Sequence, residues 1–116
     1  MRQPKLKAYY TALNAREYQL FETTRQLEIS RTVSINPLTG AVTGRRYIHL
    51  AATAELADTE YRQRTGYQHS VWVLRVPGHA VDRSQLEPTA TDQVWVSSHT
   101  LHLPHCGVIR FDLQDL

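Results

Sequence analysis

The stretch HSVWVLRV, residues 69–76, limits the folds open to this chain more than any other. It is apolar almost throughout, and its valines and tryptophan are residue types that favour strands. A strand that is apolar on both faces belongs inside a sheet that is covered on both sides. The sequence therefore predicts a layered fold, and 116 residues are enough to build it as a single domain spanning 1–116.

Two helices are predicted, and each has its own start signal. Asn14 followed three residues later by Glu17 has the spacing of a capping box, and apolar residues at helical spacing continue to about Leu27. Thr53 is a good N-cap for the second helix. Gly66 is expected to end that helix, because glycine tolerates the left-handed conformation that often follows a helix.

The other predicted strands are short. They are KAYYTAL (7–13), EISRTVSI (28–35), YIHLA (47–51), QVWVS (93–97) and GVIRFDL (107–113). Turn formers in NPLTG, residues 36–40, indicate a hairpin, and residues 77–92 are typical of a long polar loop. The order β-α-β-β-α-β-β-β, with more strand than helix, indicates the α+β class.

Composition and charge narrow the function classes. The chain has no run of about 18 apolar residues, which argues against a membrane span. A single cysteine fits a reducing compartment, and the start MRQPKLK lacks the apolar segment of a secretory signal, so we expect a cytoplasmic protein.

The net charge is +2, with a basic excess in the first 46 residues. This excess favours an anionic partner such as a nucleotide or nucleic acid, although scattered surface charge explains it equally well.

The segment SSHTLHLPHC, residues 97–106, holds three of the six histidines and the only cysteine. On a strand, His99 and His102 would point to opposite faces, and His99 and His105 would lie about 20 Å apart. Pro104 disfavours a helix, so only an irregular loop would bring the three rings to one metal ion. We therefore expect loop histidines without a metal, and a metal-dependent enzyme stays a separate hypothesis.

The stretch GRRYIHLAA, residues 44–52, is the better lead, because it places His49 in a strand just before a helix. Around it, YYTA, IHLA, RTG followed by VWVLRV, and a late VWV occur in an order that resembles the ADP-ribosyltransferase fold. Within that fold the chain is similar to the catalytic lobe of the RNA 2′-phosphotransferases and to small bacterial domains of that group. The resemblance covers residues 8–113. It implies two packed, mainly antiparallel sheets with two helices and an NAD⁺-binding cleft between the sheets.

The resemblance also implies roles for particular residues. By position, Tyr10 with Thr11 would hold the adenosine-side ribose, and His49 would contact the nicotinamide ribose. Gln93, in the segment that contains Trp95, would stand where a third-strand residue steadies the oxocarbenium-like state as nicotinamide leaves.

Four further side chains would complete the predicted site. Arg45 and Arg46 are planar, bidentate donors suited to a pyrophosphate or an acceptor phosphate. Tyr47 or Trp95 would cover the face of the nicotinamide ring. No metal ligand belongs to this site.

Two departures from the family pattern leave the function open. Tyr10 stands where many members carry histidine, and no glutamate occupies the third strand, as in the phosphotransferase branch. The leading hypothesis is an NAD⁺-dependent transferase that passes ADP-ribose to a nucleic acid or a protein, or to water as a toxin domain would. The alternative is a non-catalytic module that binds a nucleotide or a partner in a degenerate cleft.

Overall fold

The computed structural model describes residues 6–29, 34–35, 42–43 and 47–112. In chain order, its elements are β1 (Ala8–Leu13), α1 (Ala15–Thr24), β2 (Gln26–Leu27), β3 (Ser34–Ile35), β4 (Val42–Thr43), β5 (Ile48–Ala51), α2 (Ala54–Thr65), β6 (Val71–Pro77), β7 (Leu86–Pro88), β8 (Val94–Ser97), β9 (Leu101–His102) and β10 (Gly107–Phe111). Single turns of 3₁₀ helix at Gly78–Ala80 and Arg83–Gln85 separate β6 from β7. Among the described residues, α1 with 10 residues and α2 with 12 are both too short to span a membrane.

Six of the strands form one antiparallel sheet in the order β10-β6-β1-β5-β8-β7. β6 lies inside it, between β1 and β10, as its apolar sequence predicts. Val71, Val73, Leu74 and Val76 are all fully buried, although they point to opposite faces of the sheet. The prediction of an interior strand covered on both sides is confirmed.

One face of the sheet is covered by α1 and by a two-stranded sheet of β2 and β9. Phe21 of α1, Leu27 of β2 and Leu101 of β9 pack there on the odd-numbered residues of β1, such as Tyr9. The core on this face also contains Leu13, Ile48, Leu50, Leu74, Val76 and Trp95. Burying each large apolar side chain of such a cluster stabilises the folded state by about 1.5–3 kcal/mol.

The other face is covered by α2. Ala54, Ala57 and Tyr61 lie on one side of this helix because they are three and four residues apart. They pack on Ala12, Ala51, Val71, Val73 and Val94 of the sheet. Most of the residues in this contact are small, and Tyr61 is the largest buried side chain of the cluster.

Both helices begin at the predicted caps. The Asn14 side chain accepts the Glu17 N–H at 2.8 Å, and the Glu17 carboxylate accepts the Asn14 N–H at 3.1 Å. The Thr53 hydroxyl accepts the Leu56 N–H, and Gly66 ends α2 at a φ of +74°.

The predicted end of α1 at Leu27 is wrong, because the helix ends at Thr24. Arg25 takes the left-handed conformation, with φ at +55°, and its N–H bonds the Phe21 carbonyl. Gln26 and Leu27 then pair with β9 and bury Leu27, which outweighs their helical pattern.

The α+β class with two helices and antiparallel sheets is confirmed. The smaller sheets, β2 with β9 and β3 with β4, have two strands each, so the sheets are very unequal in size. β3 and β4 pair antiparallel on either side of the predicted turn, but residues 36–40 of that turn lie outside the described residues. The predicted loop at 77–92 contains the two 3₁₀ turns and β7.

Arg62 of α2 ties this helix to the ends of two strands. Its side chain is only 16% exposed and pairs with Asp58 at 2.8 Å. It also donates to the carbonyls of Tyr67 and His69, which lead into β6, and of Phe111, which ends β10.

We expect Arg62→Lys to lower the free energy of unfolding by about 2 kcal/mol, because a single ammonium group lacks the forked geometry that these acceptors need. Urea denaturation followed by circular dichroism measures this change. Gln68→Ala, at an exposed position, serves as the control and should cost less than about 0.5 kcal/mol. A stability of Arg62→Lys equal to that of the control would contradict the structural role of Arg62.

Candidate functional site

His49 lies in the middle of β5, on the face of the sheet that α2 covers. It pairs with Val96 of β8, while its neighbours Ile48 and Leu50 point into the core of the α1 face. Its ring is half-buried and forms no hydrogen bond with any described residue.

Glu60 and Arg64 of α2 stand beside His49. They are four residues apart, so they lie one turn apart on the same side of the helix, next to its buried side. Arg64 Nε donates to Glu60 Oε1 at 2.8 Å. The Glu60 side chain is only 12% exposed, whereas that of Arg64 is 39% exposed, so the guanidinium is the accessible member of the pair.

The segment after β7 forms the opposite wall. The Thr89 hydroxyl accepts the Thr91 N–H at 3.1 Å and lies 3.0 Å from the Val94 carbonyl. Gln93 closes this turn in the left-handed conformation, with φ at +64°, and its carbonyl accepts the Ala52 N–H at 3.0 Å. The turn is thereby fixed to the end of β5.

These elements enclose an open cleft of about 320 Å³, lined by His49, Glu60, Gln63, Arg64, Thr89, Ala90 and Thr91. Burial, and then the charge of Arg64, lowers the pKa of His49, while the charge of Glu60 acts in the opposite direction. At neutral pH the imidazole is therefore uncharged, with one nitrogen as donor and the other as acceptor. The cleft thus offers a neutral ring, a carboxylate, a guanidinium and threonine hydroxyls.

The structure brings two of the predicted site residues to one face of the sheet. Tyr10 of β1 pairs with Ala51 of β5, so it lies diagonally opposite His49 on the α2 face. Tyr10 is half-buried at the margin of the α2 core and does not line the cleft. Tyr47 precedes β5 and is 48% exposed.

Thr11 and Trp95 are not brought to His49. Thr11 follows Tyr10 on the same strand, so it points to the α1 face, where it is buried. Trp95 also points to that face and makes an edge-to-face contact with Tyr9, with ring centroids 5.8 Å apart. Neither side chain reaches a ligand in the cleft, because the sheet lies between them.

The remaining predicted residues are placed as follows. The Gln93 side chain is exposed, and its backbone shapes the wall of the cleft. Arg45 and Arg46 lie outside the described residues. His99, His102 and His105 are exposed, and no group of three or more potential metal ligands occurs in the described part of the chain.

The sequence analysis did not single out Glu60 and Arg64. The signal was present: Glu60 adjoins Tyr61, which lies four residues after Ala57 and seven after Ala54 on the buried side. Residues that flank the buried side of a helix lie at the edge of the layer, where clefts form.

No family model, curated protein or solved structure matches this chain.

The electrostatics of the cleft predict opposite effects of its two charged residues on His49. Arg64→Gln should raise the pKa of His49, because it removes a repelling charge, and Glu60→Gln should lower it further. The imidazole Cε1–H resonance, followed by NMR against pH, measures both changes. Arg110→Gln, at the far edge of the sheet, is the matched control.

The lowered pKa of His49 in the folded protein also makes its stability depend on pH. Because the folded protein disfavours the charged ring, the free energy of unfolding should fall as pH drops below about 6.5. His49→Gln should reduce that fall.

An unchanged or lower His49 pKa in Arg64→Gln would contradict the first of these two predictions, because it would show that His49 and Arg64 are not neighbours in solution.

Proposed function

We propose that this protein binds NAD⁺ in the His49 cleft, cleaves the nicotinamide–ribose bond and passes ADP-ribose to a nucleic acid, a protein or water. The observation that carries the proposal is a half-buried imidazole, with no hydrogen bond to a described residue, in one cleft with a largely buried carboxylate. Burial and the charge of Arg64 lower the pKa of this imidazole, which favours its neutral form. In NAD⁺ the nicotinamide ring carries a positive charge. It leaves as neutral nicotinamide with the electrons of the broken bond, so positive charge develops on the ribose.

An ADP-ribosyltransferase-like fold is part of the same proposal. The order of the sheet supports it: YYTA lies on β1, IHLA on β5, VWVLRV on β6 and VWV on β8. These four strands are adjacent, in the order β6-β1-β5-β8. These four motifs therefore meet in one continuous part of the sheet, while RTG lies at the end of α2.

The side chains of the cleft suit the ribose end of a nucleotide. A neutral imidazole both donates to and accepts from ribose hydroxyls, so His49 would orient the sugar. Arg64 is exposed enough to turn its free nitrogens toward a phosphate. Glu60 would face the positive charge that develops on the ribose, which is the task of a preorganised carboxylate.

The size of the cleft limits what it encloses. About 320 Å³ is at the lower end of the range for small-molecule pockets, so one nucleoside half would be held and the rest would lie along the open mouth. Tyr47, with half of its side chain exposed before β5, is available to such an extension.

A nucleotide-binding module without turnover is the second candidate. Two observations favour it: Thr11 and Trp95 face the opposite side of the sheet, and Glu60 is engaged by Arg64. A carboxylate held in an ion pair has less of its charge available for a transition state.

Release of nicotinamide by the purified protein, with and without RNA, tests the proposal. We expect Glu60→Gln to slow release by about 100-fold while binding persists, because the carboxylate acts on charge that develops only during the reaction. His49→Ala should lower both the release rate and the thermal stabilisation that NAD⁺ produces. The control is His102→Ala, which removes an exposed histidine on β9.

The two candidates give different results in this experiment. Thermal stabilisation by NAD⁺ that depends on His49, without release, would establish the binding module and reject the enzyme. If NAD⁺ produced no thermal stabilisation and no nicotinamide were released, the assignment of the cleft to NAD⁺ would be contradicted.

A further inference from the structure

The contacts that hold the Arg64 side chain are with neighbours on its own helix. Nε donates to Glu60 Oε1 at 2.8 Å, and Cζ lies 5.4 Å from the centre of the Tyr61 ring. The terminal nitrogens Nη1 and Nη2 donate to no described residue. Arg62, by contrast, bonds carbonyls at His69 and Phe111, next to two different strands. Movement of the Arg64 side chain therefore breaks no hydrogen bond between described elements of the fold.

Glu60 is the more deeply placed member of the ion pair. Its side chain is largely buried, whereas that of Arg64 is accessible from the cleft. Water screens a partly buried charge less than an exposed one, so a carboxylate without its partner acts more strongly on a bound ligand here than at the surface. Separation of the pair would leave Glu60 as an uncompensated negative charge in the cleft with His49.

A diphosphate is a better partner for Arg64 than Glu60 is. The ion pair joins residues four apart on a helix through one hydrogen bond, and such pairs are weak where solvent reaches them. A diphosphate carries a negative charge on each phosphate and accepts two N–H groups of one guanidinium. In NAD⁺ the diphosphate adjoins the nicotinamide ribose, so a ribose at His49 and Glu60 would bring it within reach of Arg64.

We propose that Arg64 makes cleavage depend on a diphosphate in the substrate. The bound diphosphate draws the guanidinium away from Glu60, and the freed carboxylate then stabilises the positive charge that develops on the ribose. This inference rests on the proposed function of the cleft. It limits the substrates to dinucleotides that carry a diphosphate next to the ribose, because a nucleoside without phosphate meets a carboxylate that Arg64 still neutralises.

The chemical step itself is the same with and without the diphosphate. The bond between ribose C1′ and the ring nitrogen breaks, and its electron pair leaves with neutral nicotinamide. The acceptor or water forms the new bond at C1′ and gives up a proton. The diphosphate therefore acts on the rate of this step as well as on affinity, since binding energy from a remote group is used at the reacting carbon.

Nicotinamide release at saturating substrate, compared between NAD⁺ and nicotinamide riboside, tests the dependence. We expect the riboside to react at least about tenfold more slowly in the unaltered protein. Arg64→Gln should speed the riboside by about tenfold, because Glu60 is then free at all times, and should raise the KM for NAD⁺. Arg64→Lys keeps a positive charge beside Glu60 and should keep the riboside slow. Arg16→Gln, at an exposed position of α1, is the control and should alter neither substrate.

A second measurement does not depend on turnover. Inorganic pyrophosphate should shift the Arg64 Nε–H resonance and raise the pKa of His49, because the repelling charge of Arg64 is drawn away while that of Glu60 stays. Potassium chloride at the same ionic strength is the control, since it screens the charges without displacing Arg64.

The outcomes separate this inference from the proposed function. Cleavage of NAD⁺ with an equally fast riboside, or with a riboside that Arg64→Gln does not speed, would overturn the role of Arg64 and leave the proposed function standing. Cleavage of neither substrate would contradict the proposed function. In that case, Arg64 and His49 resonances that pyrophosphate does not move would overturn the displacement of Arg64 as well, and shifted resonances would support it.

Discussion

The antiparallel pairing of β1 with β6 is the constraint on which the rest of the structure depends. It runs over six residue pairs, from Ala8 opposite Pro77 to Leu13 opposite Trp72. This register decides which side chains face α1 and which face α2, and a slip of one residue would exchange the two sets. Tyr9 and Leu74 would then leave the core that anchors α1, and the positions of both helices would be lost.

The helix starts and the interior strand were predictable because local chemistry determines them. Asn14 and Glu17 each accept the other's backbone N–H at the start of α1. Gly66 adopts the left-handed conformation that ends α2. An apolar run such as residues 71–76 is stable only inside a sheet. The end of α1 was not predictable in this way. It depends on pairing of Gln26 and Leu27 with residues more than 70 positions further along the chain.

In the candidate site, too, the features that local sequence determines were predictable, and those that depend on long-range packing were not. His49 could be singled out from the sequence, since it lies in a strand next to a helix start. The alternation of strand side chains already separates Tyr10 from Thr11, so one predicted pair could never have shared a ligand on one face. The helical pattern places Glu60 and Arg64 beside the buried side of α2, but which strand residues they meet depends on the angle at which α2 crosses the sheet. Packing of Ala57 and Tyr61 sets that angle, and the helical pattern alone does not contain it.

The ligand site that we propose lies between α2 and the turn after β7. A titration of the uniformly ¹⁵N-labelled protein with NAD⁺, followed by the backbone amide NMR spectrum, tests it most directly. Binding in the His49 cleft should give shifts that cluster at His49, Arg64 and Thr89–Thr91, with the amides of Thr11 and Tyr9 unmoved. Shifts centred on the α1 face, or no shifts at all, would contradict it.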